Sequence, residues 1–205
     1  MANNDAAFGL RPLKMLGAGA NTSGLVSYPI QTTATTGTTS TIYQGTPVIP
    51  LANGMIDIVG GASGGTVPLL GVFMGCEYTD LNGTPTFTNK YPGTAAVKAN
   101  THVNGLIAAN PDQLFLINCN AAAADAIVHA NADLATATSG NATTGISTGE
   151  LDVGTVNTTN TLNLRIIGFE DSPDNDDATV AGRLAVVLLN NHFYRYNANG
   201  TGAGI

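Results

Sequence analysis

The chain has 205 residues, enough for one full-sized domain or two small ones with a core that needs neither disulfides nor metals. Only 10% of its residues are charged, far below the roughly one quarter usual in globular domains, and the formal net charge is −7. Its 7 Lys and Arg are spread thinly, which argues against DNA or RNA, where clustered cations neutralise phosphate, and against anionic membrane surfaces.

Residues 1–24 read as an extended N-terminal arm. Pro12 removes a backbone donor and pushes Arg11 out of helical space, and Gly17, Gly19 and Gly24 punctuate the polar stretch after it. Phe8, Leu10 and Leu13 are apolar with little local structure around them, and Arg11 and Lys14 are basic in an acidic chain. These five are the candidate partner-contact residues. The basic pair would steer the arm onto an acidic partner while the apolar ones supply buried area. Folding back onto an edge of the same subunit is the alternative. The start has no positive region followed by a long apolar stretch, so no secretory signal is expected and folding in a cytoplasm is. No apolar run approaches the roughly 18 residues of a membrane helix.

From residue 25 to 196 the chain reads as a β-rich body, with a possible subdivision near 120. Leu25 to Gln31 is a strand, and Thr32 to Thr41 is Thr-rich. Val48 to Leu51 and Met55 to Val59 flank Asn53-Gly54, a hairpin signal because both residues tolerate positive φ. Gly60-Gly61 and Gly64-Gly65 bound a loop, and Val67 to Tyr78 is a long apolar run. Asn82-Gly83 predicts a second hairpin before a strand at Thr84 to Thr88. Ala95 to Ala99, His102 to Ala108 (bent at Asn104-Gly105) and Leu114 to Cys119 complete the first half. Ala121 to Val128 is the one stretch with helix propensity, and it lacks an apolar stripe, so it predicts a turn or one short helix. Thr136 to Ser147 is a polar loop. Leu151 to Val156 and Leu162 to Phe169 are strands, and Val180 to Asn190 with Phe193 to Tyr196 reads as a closing hairpin. Residues 197–205 form a Gly-rich tail expected to be mobile. Short strands at this spacing predict a mainly β fold, an antiparallel β-sandwich or β-barrel. The apolar stretches Val67 to Phe73 and Val186 to Leu189 must lie in the core or at an interface.

No catalytic constellation is legible. His102, His129 and His192 stand apart without metal-ligand spacing, and Cys76 and Cys119 lie in strand-like contexts, where a reduced buried pair is expected. Gly17 and Gly19 lack the third glycine and the strand–helix frame of a dinucleotide loop. The loop Glu170-Asp-Ser-Pro-Asp-Asn-Asp-Asp177 has oxygen ligands that would suit Ca²⁺, but neither register places Gly and Glu at the EF-hand positions. A solvated loop is expected there, with no metal and no cofactor.

Two stretches carry a family likeness. The opening Met1-Ala-Asn-Asn-Asp-Ala-Ala-Phe-Gly-Leu-Arg-Pro-Leu-Lys14 resembles the start of a family of small virion proteins of tailed bacteriophages. Leu162-Asn-Leu-Arg-Ile-Ile-Gly-Phe169, then Ser172-Pro-Asp-Asn175, then Val186 to Asn191 running into His192-Phe-Tyr-Arg195, is similar to that family's closing half. The resemblance implies a capsid decoration (cement) protein, non-enzymatic, bound to the outer surface of the head beside the major capsid protein. It implies a β-rich homo-oligomer, a trimer before a dimer, made in the host bacterial cytoplasm. A tail or fibre protein binding a host-surface receptor is the rival reading. A polysaccharide depolymerase would need a carboxylate pair in an aromatic-lined cleft, in a chain with no Trp.

Overall fold

The computed structural model describes residues 3–17, 24–31, 40–60 and 67–195. Residues 18–23 of the expected arm, most of the Thr-rich segment, the glycine-bounded loop at 61–66, Tyr196 and the tail 197–205 lie outside these.

Two antiparallel sheets of six strands make up the described protein, a mainly β fold as the turn spacing predicts. One sheet is built from β2 (Val26–Pro29), β3 (Pro47–Pro50), β4 (Ile56–Ile58), β5 (Gly71–Thr79), β6 (Pro85–Thr88) and β7 (Asn104–Ala108). Its order is β2-β7-β5-β3-β4, with β6 also paired to β5. The other takes β1 (Arg11–Met15) from the start of the chain and adds β8 (Gln113–Asn118), β9 (Asn131–Ala135), β10 (Glu150–Asn157), β11 (Leu164–Phe169) and β12 (Leu184–Leu189). Its order is β1-β8-β12-β11-β9-β10. After β1 the chain builds all of the other sheet, β2 to β7, and returns to the sheet of β1 between Ala108 and Gln113.

Each sheet curls far enough to meet itself. Ile30, just past β2, bridges to Ile56 of β4, and Cys119, just past β8, bridges to Leu151 of β10. Side chains alternate across a strand, so curling gives each sheet an inner face and its own core. Inside the β1–β8 sheet pack Leu10, Phe115, Ile117, Leu151, Ile166 and Val187. Inside the other pack Ile30, Ile42, Val48, Ile56, Phe73, Tyr91 and Ile107.

The two cores meet at β5. Val72 turns into the first cluster, Phe73 and Cys76 into the second, and Ala108 and Ile107 divide the same way on β7. Burial on both faces explains the long apolar run, which an exposed antiparallel strand would have broken with alternating polar residues. Val187, Leu188 and Leu189 are buried as well, so both apolar stretches serve mainly the core, although Val67 at the start of the first is exposed.

The hairpins at Asn53-Gly54 and Asn82-Gly83 form as read, with Gly54 and Gly83 at φ 78° and 87°. Other expectations need correction. Asn104-Gly105 makes no bend. Gly105 sits inside β7, where a Cβ would stand 3.1 Å from Ile56 and 3.2 Å from Ile30, so the glycine permits packing and not turning. Ala95 to Ala99 is not a strand: Ala95 and Ala96 belong to a single 3-10 turn at Thr94–Ala96, and Val97 makes only an isolated bridge to Asp80. The Ala-rich stretch, by contrast, forms the short turn expected of it, a 3-10 turn at Asp125–Ile127, with Ala123 buried in the core and its carbonyl accepting from Arg183. β9 comes after it, unread in the sequence. Phe193 and Tyr194 do not close a hairpin with β12. After Asn191 the chain runs beside Leu69, whose N–H donates to Asn191 O at 2.8 Å and whose carbonyl accepts from Phe193 N–H at 2.8 Å.

Candidate partner-contact surface

The segment expected to leave the body as an arm is built into it, at least through residue 17. Asn3 Nδ2 donates to Asp177 O at 2.7 Å, and Asn118 Nδ2 donates to Asn4 O at 3.0 Å. Gly9 N–H donates to Gly149 O, Leu10 N–H to Gly45 O, and Leu16 N–H to Asp112 O, at 3.1, 2.9 and 2.8 Å. Between these ties β1 lies antiparallel to β8, with Arg11 opposite Leu116 and Lys14 opposite Leu114. Pro12 is compatible with this because an outermost strand can spare a donor. Leu10 decides the matter physically: at 1% exposure it is part of the core, so removing the segment from the body would return a whole leucine to water.

The five candidate residues therefore separate. Leu10 is inside and cannot reach a partner while the fold stands. Phe8 is half-buried, and the Arg11 guanidinium lies 4.6 Å from the centre of its ring. This stacked pair borders a hollow of about 130 Å³ shared with Gln44, Met74 and Ile146. Leu13 occupies the bulge between Pro12 and Lys14 and is 37% exposed. Lys14 is exposed beside it.

A second surface was not read from the sequence. The β5–β6 hairpin carries Leu81 at its tip, 64% exposed, and Phe87 on β6, 68% exposed. Phe87 stands opposite Glu77 of β5, and Glu77 stands opposite Asn104 of β7. A groove of about 600 Å³ opens here, lined by Phe87, Glu77, Tyr78 and Pro85 of the hairpin and by Asn100, Thr101 and His102. A lone aromatic among threonines and a proline, Pro85-Thr-Phe-Thr88, was the available signal.

Buried polar groups hold the framework. Arg183 is buried, donates from Nη1 to Ala123 O at 2.8 Å and from Nε to Asn175 O at 3.3 Å, and pairs with Asp125 at 2.8 Å over the Phe169 ring. Within the acidic loop, Asn175 is buried, and its Nδ2 donates to Glu170 O and Leu184 O. The loop is thus pinned at its centre, with Asp171, Asp174 and Asp176 facing out. Among the described residues no three His, Cys, Asp or Glu side chains stand together as a metal would require. His102 and His129 are exposed. His192 is 1% exposed, and its Nδ1 accepts from Tyr194 N–H at 3.1 Å. Burial first, and then the charge of Arg195, hold its imidazole down to about 4. Burial pushes the Cys76 thiol up to about 11 and the Cys119 thiol up to about 12, so both are poor nucleophiles at neutral pH. No helix of the described residues is long and apolar enough to cross a membrane.

The chain matches no protein-family model, and neither a curated protein nor a solved structure shows similarity to it.

Proposed function

We propose that this chain is a structural virion protein of a tailed bacteriophage, a decoration protein seated on the outside of the head beside the major capsid protein. On this reading it acts by binding, as a homo-oligomer with a trimer favoured over a dimer, and not by catalysis. The observation that carries the reading is where the family-like residues lie. The opening segment supplies β1, the L-R-I-x-G segment is β11, and the final segment supplies β12, all members of one sheet. Their polar residues are framework pins. The carboxamide of Asn175, which closes the Pro-Asp-Asn turn, clamps the start of β12 through Leu184, and Asn190 Nδ2 donates to Leu162 O at 2.9 Å. Side chains that pin a framework and carry no chemistry support a role that rests on presenting a shaped surface.

Binding that exists only in the assembled head stabilises that head by linkage, and capsid symmetry repeats the small contact many times. Arg11, Leu13 and Lys14 remain the outward candidates for that contact, with Phe8 beneath Arg11. Imaging of the intact particle at moderate resolution tests the proposal. Density for this chain between capsomers on the outer head surface is expected. Density at the tail tip would replace the proposal with a receptor-binding role.

A further inference from the structure

Phe87 is the most exposed large hydrophobic side chain among the described residues, and it is not isolated. Directly opposed residues of neighbouring strands share a face. The Phe87 ring, the Glu77 carboxylate and the Asn104 carboxamide therefore form one row across β6, β5 and β7. His102, Thr101 and Asn100 wall the groove beside that row, and Asn100 is held at φ 61° by its turn. Thr101 Oγ1 donates to Lys98 O at 2.7 Å and keeps its lone pairs for a further donor.

The platform is stiff. Asp80 Oδ1 accepts from Asn82 N–H at 2.9 Å and from Thr84 N–H at 2.8 Å, which sets the hairpin turn. Lys98 N–H donates to Thr79 O at 2.9 Å and ties the hairpin to the body. A site that is rigid before binding loses little entropy on binding.

From this arrangement we propose that the groove is a binding site for a neutral saccharide, with a sugar ring stacked on Phe87. A pyranose has a face of C–H bonds and a rim of hydroxyls. An aromatic face receives the first, while a carboxylate, carboxamides and an imidazole receive the second by accepting and donating hydrogen bonds. Tyr78 and Pro85 add apolar lining beside Phe87, and the hydrogen-bonding side chains of Glu77, Thr101 and His102 stand with them, a mixture that matches the two kinds of surface a sugar presents. Glu77 stands at the centre of the row, which favours a neutral sugar over an anionic one. The volume falls within the range of small-molecule sites. The proposal goes beyond capsid decoration and does not depend on it.

The test is retention of the full chain on an array of immobilised neutral oligosaccharides built from hexoses, N-acetylhexosamines and deoxyhexoses. Phe87→Tyr, Phe87→Leu and Glu77→Gln are run in parallel. The parent should be retained on a defined subset of sugars, and Phe87→Tyr should match it. Phe87→Leu keeps apolar area but removes the aromatic face, and should weaken retention by about tenfold, as should Glu77→Gln. Both side chains are exposed, so melting temperatures should not move, which separates lost binding from lost folding. Retention no better than that of an inert protein, or equal retention of parent and Phe87→Leu, overturns the proposal. So does a blank array from a parent that binds undecorated heads through Phe87, which would make the groove a protein contact.

Discussion

Leu10→Ala separates an arm that hangs free from a segment that completes the fold. Leu10 is 1% exposed and packs in the cluster that holds Phe115, Ile117 and Leu151. Truncating a leucine so enclosed costs about 2–5 kcal/mol, the removed methyl groups plus the cavity they leave. The backbone here is fixed on both sides by the Gly9 and Leu10 hydrogen bonds, so little collapse into the cavity is possible and a value near about 3 kcal/mol results. For a protein of this size each kcal/mol lowers the melting temperature by about 2–4 °C, so the loss should be about 6–12 °C. Leu13→Ala serves as the contrast, because Leu13 sits half outside on the bulge and its removal should cost under about 1 kcal/mol. Circular-dichroism melts of the two variants and the parent suffice. If Leu10→Ala melts within about 2 °C of the parent, the segment is not part of the fold in solution and the reasoning from its burial fails.

His192 should make the protein acid-sensitive. Its pKa is held down to about 4 from the ordinary 6.5, so its contribution is complete above 6.5 and is lost as pH falls through 4. The difference corresponds to about 3 kcal/mol. The stability gap between the parent and His192→Asn should be constant above about pH 7 and should narrow as pH falls from 6.5 to 4, and a gap that does not move with pH refutes the assignment. Arg183→Met should lower the urea midpoint by an amount equivalent to about 3 kcal/mol, since it strips a charged donor from Ala123 O and leaves that carbonyl without it. A double variant with Asp125→Asn should cost little more, because Asp125 is largely exposed.

Much of the fold was legible where turn chemistry and strand pattern agreed. Asn53-Gly54 and Asn82-Gly83 set their hairpins locally, through positive φ at glycine, and no distant contact was needed to read them. The errors fall where a distant contact overrides the local preference. Gly105 reads as a bend, yet it lies within a strand where Ile30, just past β2, and Ile56 of β4 leave little room for a side chain. The N-terminal segment reads as an arm for the same reason, since the partner of β1 lies about a hundred residues away and the local sequence offers Leu10 no company. Of the candidate contact residues, Arg11, Leu13 and Lys14 stay outward as their charge or bulge position requires. Phe87 was overlooked because its significance lies in the register with Glu77 and Asn104, which no single strand displays.

The curling of the two sheets bears on the scarcity of charge. Surface charge usually serves a folded β protein twice, by solvating it and by repelling other copies from unpaired strand edges. Where Ile30 meets Ile56 and Cys119 meets Leu151, backbone groups that another copy could have paired with are already engaged. The outward strand β1 adds Pro12, a bulge at Leu13 and the Lys14 ammonium, each of which spoils a flat template for cross-pairing. Resistance to aggregation is thereby built into backbone geometry, and a chain with 10% charged residues can be crowded against its own copies without templating their strands.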